Sequence, residues 1–192
     1  MKRPFCTATA LISVFILTTS LAIAQTTAPL DTKKLTGIGK YVNSAEAYHM
    51  WKSNPDKVNI LDVRTPEEYT FIGHAAAAHN VPSKVWTGKF DPASKDFTLD
   101  DNPEFEARVK KLFSPDDTIL VMCRSGQRSA VAVNRLAKAG FKNAYNILDG
   151  FEGDKVSDKS NPNYGKRMLD GWKNSPAPWT YDLDPKLVYE GN

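Results

Sequence analysis

Cysteine is nearly absent: the 192 residues contain two, Cys6 and Cys123, so no framework of disulfides holds this chain together. Histidine is almost as scarce. His49, His74 and His79 form no cluster with cysteine at ligand spacing, so no metal is expected. Neither sign of charge is in excess: 25 lysines and arginines face 22 acidic residues, which gives no electrostatic case for nucleic acid or an anionic membrane as partner. A long apolar run is missing as well. The strongest, Leu11 to Leu17, falls short of the roughly 20 residues that a membrane-spanning helix requires.

What the N-terminus does hold is a basic start, Met1-Lys2-Arg3, an apolar stretch from Ala8 to Leu21, and a small-x-small sequence, Ala22-Ile23-Ala24. This pattern reads as a secretory signal over residues 1–24, cleaved after Ala24. Cys6 lies before the apolar stretch, where a lipid-anchoring cysteine does not occur, and it leaves with the signal. The expected product is exported, periplasmic if the source is a Gram-negative bacterium, with no membrane attachment and with Cys123 as its one thiol. A lone thiol in an oxidising compartment is either buried and inert or reactive and used.

Residues 25–40 form a polar, Thr-rich leader without periodicity, expected to be flexible. From Ser44, a good N-cap residue, Tyr48 and Trp51 share a helical face and Asn54-Pro55 ends the segment. Val58 to Val63 is an apolar, β-branched run that predicts a buried strand. Thr65-Pro66-Glu67-Glu68 then combines an N-cap, proline at the first helical position and glutamate at the third, the signature of a capping box. A short strand is expected around His79 to Pro82, and residues 83–102 read as a long surface loop in which Trp86 and Phe90 either wall a pocket or pin the loop.

Asp101 or Asn102 caps the next expected helix, with Phe105, Val109, Leu112 and Phe113 on one face. Thr118 to Met122 is the most uniformly apolar strand, suited to the middle of a parallel sheet. After it, Val133, Leu136 and Ala137 mark a helix that ends at Gly140, with Phe141 packing back, and Ala144 to Leu148 is a further strand before an Asp149-Gly150 turn. Strand and helix alternate, which argues for an α/β fold with a mainly parallel central sheet flanked by helices. The domain is expected over 41–153, and 154–192 as an extension held to it by Tyr164, Trp172, Trp179, Tyr181 and Tyr189.

Cys123 falls where the central strand passes into a helix, in Cys123-Arg124-Ser125-Gly126-Gln127-Arg128-Ser129. Ligand sites in such sheets form beyond the carboxyl ends of the strands. A helix N-terminus stabilises a thiolate through unsatisfied N–H groups and the positive end of its dipole. Gly126 lets successive amides converge on an anion, and Arg124 and Arg128 add positive charge. With an N-cap serine nearby, this environment favours a nucleophilic sulfur over a core cysteine, the other reading of a lone thiol.

These seven residues resemble the active-site loop of rhodanese-like sulfurtransferases. Leu61-Asp62-Val63-Arg64-Thr65-Pro66-Glu67-Glu68-Tyr69 followed by Gly73-His74 is similar to that family's first signature, and Asn80-Val81-Pro82 and Asn146 to Gly150 occur in its order. The resemblance implies the family's three-layer α/β domain and persulfide chemistry. Cys123 takes the outer sulfur of a donor such as thiosulfate and passes it to cyanide, a thiol or a protein thiol, with no cofactor. Residues 124 to 128 are the expected substrate-binding loop, with Ser129 in support, and Asp62 and Arg64, at a strand end near the same edge, are expected to support it by hydrogen-bonding the loop or, in preference, by an ion pair with each other that rigidifies it. Cysteine phosphatases and arsenate reductases use longer loops, with five residues between cysteine and arginine; here four, Arg124 to Gln127, intervene, which suits a sulfur atom better than a tetrahedral oxyanion. A non-enzymatic sulfur carrier or sensor for another exported protein remains the alternative in function.

Overall fold

The computed structural model describes residues 31–191, so the expected signal over 1–24 lies outside the described residues. In chain order the elements are β1 (Tyr41–Val42), α1 (Ser44–Ser53), β2 (Val58–Asp62), α2 (Pro66–Ile72), β3 (His74–Ala75), β4 (Ala78–Asn80), β5 (Lys84–Asp91), β6 (Asp96–Asp101), α3 (Phe105–Leu112), β7 (Thr118–Met122), α4 (Gln127–Lys138) and β8 (Ala144–Ile147). The C-terminal segment adds β9 (Asp154–Lys155), β10 (Arg167–Leu169) and β11 (Trp179–Thr180).

Five strands form one parallel sheet in the order β1-β8-β7-β2-β4, with β7 in the middle. Strand alternation explains the layers. Leu61 of β2, Val63 just after it, and Ile119 and Val121 of β7 pack with Phe105 and Val109 of α3 and with Val133 and Leu136 of α4. Their neighbours Ile60, Leu120 and Met122 point to the other face and pack with Ala47 of α1 and Tyr69 of α2. Both faces are therefore covered, which is why the strands read as nearly unbroken apolar runs.

The start of α2 follows the sequence closely. The Thr65 side chain accepts from Glu68 N, the Glu68 carboxylate accepts from Thr65 N, and Pro66 opens the helix. At α1 the cap is Asn43 rather than Ser44: Asn43 and Glu46 form the capping box, while the Ser44 hydroxyl donates to Gly150 O. The α3 helix begins at Phe105, and Asn102 stabilises its approach by accepting from Glu104 N. Gly140 closes α4 as expected, and Phe141 is buried.

The segment read as a surface loop over 83–102 is instead an antiparallel hairpin of β5 and β6. Its register shifts between Trp86 and Phe90, around Gly88, and that irregularity together with Pro92 disguises the strands. Trp86 and Phe97 meet edge to face with ring centroids 5.1 Å apart, and Phe90 meets Phe97 at 5.7 Å. Aromatic pairs across strands help to hold a hairpin most of whose residues are polar.

The leader also departs from expectation over 31–40. Thr32–Lys34 is a 3-10 turn capped by Asp31, Gly37 N donates to Asn134 Oδ1 at 2.7 Å, and Asn146 Nδ2 donates to Lys34 O. Polar side chains of α4 and β8 hold this stretch, so its lack of apolar periodicity does not make it loose. In the C-terminal extension Trp172 is 1% exposed within the core on the α1 and α2 face, and β11 pairs with β3. Tyr164 and Tyr181 are exposed, and Tyr181 meets Trp179 edge to face at 5.2 Å rather than entering the core itself.

Candidate functional site

Cys123 follows the last residue of the central strand, and the chain turns at Gly126 into α4. The N-cap of α4 is Gly126 itself, in a left-handed conformation at φ 94°, and no serine side chain caps the helix. This geometry points Gly126 N at Cys123 Sγ, 3.2 Å away. Among the described residues the N–H groups of Arg124, Ser125, Gln127 and Arg128 have no acceptor, as expected at the mouth of a helix. Amides, a dipole and a sulfur thus share one small volume, an arrangement that stabilises negative charge on or beyond the sulfur.

The loop is fixed from beneath by backbone contacts. Phe151 N donates to Cys123 O at 2.7 Å and Glu152 N to Arg124 O at 2.9 Å. A Cβ on Gly126 would lie 2.1 Å from Leu148 O, and one on Gly150 would lie 2.5 Å from Cys123 O. Only glycine permits these two approaches.

Ser129 and Asn146 tune the sulfur from the side. Asn146 Nδ2 donates to Gly126 O and Lys34 O, which leaves its Oδ1 facing the Ser129 hydroxyl at 2.6 Å. That hydroxyl also lies 3.4 Å from Cys123 Sγ, and it has one hydrogen to give. Ionisation of the sulfur makes it a competing acceptor for that hydrogen.

The two arginines are unlike each other. Arg128 makes a two-pronged ion pair with Glu68, Nη1 to Oε2 at 2.7 Å and Nη2 to Oε1 at 2.6 Å. Burial works against both charges, but the pairing outweighs it: Arg128 is held more firmly protonated, and Glu68 ionises below the usual glutamate range. Arg124 is exposed, and among the described residues its guanidinium makes no hydrogen bond or ion pair. The expectation that both arginines add positive charge to the loop is therefore corrected for Arg128, whose charge Glu68 offsets.

Above the loop lies a cleft of about 420 Å³. Cys123, 1% exposed, forms its floor with Arg124, Ser125, Gln127 and Arg128. Trp86, Phe97 and Leu99 of the hairpin form an opposite, apolar wall, and Glu67 and Asp96 add carboxylates. Trp86 thus walls the pocket, whereas Phe90 braces Phe97 from outside it. The side chains of Asp62 and Arg64 make no hydrogen bond to the loop. They pair with each other in full burial, Arg64 Nη2 to Asp62 Oδ2 at 2.6 Å, and Arg64 stacks over the Phe151 ring whose backbone holds Cys123.

The sequence matches the model of the Rhodanese-like domain family over residues 44–156. The chain belongs to the rhodanese-like family. An uncharacterized protein of Rickettsia conorii is 36% identical over 140 residues, covering 72% of this chain and 94% of that one. Thiosulfate sulfurtransferase 16, chloroplastic, of Arabidopsis thaliana is 39% identical over 93 residues, 47% of this chain and 68% of its own length. Among solved structures, Rv0390 from M. tuberculosis superposes with a TM-score of 0.57 at 26% identity, covering 73% of this chain and 96% of that one.

Within this rhodanese-like frame the contiguous loop residues Cys123 to Ser129 come together as the sequence implies. Glu68, Asn146, Gly150 and the hairpin residues Asp96, Phe97 and Leu99 are not singled out as site residues by the sequence, although Glu68 is legible as a helix-capping residue. His74 stacks on Tyr69, His79 packs on Phe113 and His49 is exposed; among the described residues no metal-ligating cluster forms. No helix among the described residues is long and apolar enough to cross a membrane.

Proposed function

We propose that this chain is a sulfurtransferase that moves sulfane sulfur from a donor such as thiosulfate to a thiophilic acceptor through a persulfide on Cys123. The observation that carries this reading is the placement of Cys123 Sγ 3.2 Å from Gly126 N at the head of α4. The thiolate attacks the outer sulfur of thiosulfate, a bond forms between Sγ and that sulfur, and the sulfur–sulfur bond of the donor breaks with its electron pair leaving on sulfite. The Cys–S–S⁻ product extends toward the unsatisfied amides of the loop, which supply the hydrogen bonds its charge requires. Exposed Arg124 draws in the anionic donor, while Arg128 and Glu68 keep the rim of the loop in shape. An acceptor such as cyanide or a thiol then attacks the terminal sulfur, and the electrons of the broken bond return to Sγ.

Supporting the transferase class are the family membership and a relative named as a thiosulfate sulfurtransferase. Thiosulfate is expected to add about 32 Da to the intact protein, one sulfur atom, and Cys123→Ser to abolish the adduct. No adduct with any sulfane donor sinks the proposal. Residues 1–24 support export, to the periplasm in a Gram-negative source, and an N-terminus at Gln25 in the secreted chain tests that.

A further inference from the structure

The carboxylates of the cleft are at odds with a site built solely for small anions. Besides Cys123, its ionisable lining comprises Glu67, Glu68 and Asp96 against Arg124 and Arg128. Since Glu68 and Arg128 offset each other, Arg124 alone faces Glu67 and Asp96. Glu67 Oε2 is buried with no hydrogen-bond partner among the described residues. That oxygen is an acceptor to which the described residues bring no donor.

Size and surface point the same way. A five-atom inorganic anion fills on the order of three water volumes, about 90 Å³. The cleft is about 420 Å³, within the roughly 300–1,000 Å³ of pockets that hold organic ligands. Its outer wall is aromatic and apolar: Trp86 is 44% exposed and Phe97 46%, large surfaces left open beside a nucleophile.

Resting on the sulfurtransferase reading, we propose that the acceptor served by this cleft is a small organic thiol with an apolar ring near its sulfur and a cationic group at its far end. The ring packs on Trp86, Phe97 and Leu99, and the cation meets Glu67 and Asp96. In the transfer step the acceptor thiolate attacks the outer sulfur of the Cys123 persulfide. A new sulfur–sulfur bond forms on the acceptor, the bond to Sγ breaks, and its electron pair leaves on Cys123 as thiolate. The acceptor's proton goes to solvent, and no oxidant or reductant is consumed.

The test uses thiosulfate as donor and two acceptors that share a ring and differ in charge, 4-(aminomethyl)benzenethiol and 4-mercaptobenzoate. The expected ratio of kcat/KM, cationic over anionic, is about tenfold or more, equivalent to about 1.4 kcal/mol. Glu67→Gln and Asp96→Asn should each lower that ratio by about threefold. Because the ratio is taken within each variant, changes in folding or in sulfur loading cancel. A wild-type ratio near or below one, with the persulfide present by mass, overturns this inference while leaving the sulfurtransferase reading intact. A high ratio that survives both substitutions overturns the assignment to these carboxylates, and sulfur transfer confined to protein-borne thiols overturns the small-acceptor class. Failure to load Cys123 from any sulfane donor is instead the failure of the underlying function.

Discussion

Residues 123–129 and the β5–β6 hairpin face each other across one cleft but are held in place by different kinds of contact. The loop is tied to the core: Cys123 is buried, its carbonyl and that of Arg124 are taken by Phe151 and Glu152 amides, and two glycines leave no space for a Cβ. The hairpin is tied mainly to itself. Thr87 and Thr98 hydroxyls meet at 2.6 Å and Lys84 pairs with Asp101, while its base is held by Arg135, whose guanidinium donates to Ser83 O and Asn102 O. A rigid floor and a self-supporting wall divide the work: the floor sets which bond is made, and the wall sets what reaches it. Chemistry that tolerates little displacement belongs on the part anchored in the sheet.

The sharpest way to break this contrast is to disturb the floor. Gly126→Ala introduces a Cβ 2.1 Å from Leu148 O at a backbone φ of 94°. Strain and steric conflict together should cost about 2–4 kcal/mol in urea unfolding. Persulfide loading should fall with it, because relief of the clash moves Gly126 N away from Sγ. Wild-type stability and loading in this variant would show that the loop has slack the geometry denies.

A smaller effect is expected at the rim, where Glu68 serves α2 and the loop at once. Glu68→Gln keeps a partial cap but loses the charge opposite Arg128. With both side chains about four-fifths covered, a loss of about 1–2 kcal/mol is expected at pH 7. The pH dependence follows from the direction of the Glu68 shift. Its folded value lies below the ordinary 4.5, so its contribution is complete above that pH and disappears as pH falls through the lower folded value. The stability gap between wild type and Glu68→Gln should therefore be constant from pH 7 to 5.5 and narrow progressively as pH falls below the ordinary 4.5. A gap unchanged at pH 3 would mean that the carboxylate charge is not what Arg128 depends on.

How much of each wall could be read in the sequence follows from the range of the contacts that build it. The floor is local: Thr118 to Met122, the turn at Cys123 and the start of α4 are contiguous, and a strand passing into a helix beside a glycine carries its own signal. The α2 capping box was equally legible because its partners, Thr65 and Glu68, lie three residues apart. The second role of Glu68 was not, since Arg128 is 60 residues away and the sheet order alone brings them together. Asn146 escaped for the same reason: it reaches the loop through the pairing of β8 with β7. The hairpin was missed on different grounds. Its strands leave most residues in water, so no apolar alternation appears, and Gly88 and Pro92 look like loop punctuation.

The finest test of the comparison removes apolar surface from the wall without touching the floor. Trp86 is 44% exposed and meets Phe97 edge to face, so Trp86→Ala should change stability by no more than about 1 kcal/mol. Its effect should appear in selectivity instead. Cyanide spans too little of the cleft to use the wall, whereas an aryl thiol lies against it. The fall in kcat/KM with an aryl thiol should therefore exceed the fall with cyanide by about tenfold, carried mainly by KM. Equal losses with both acceptors would mean that Trp86 acts by holding the loop, and the separation of wall from floor would no longer stand.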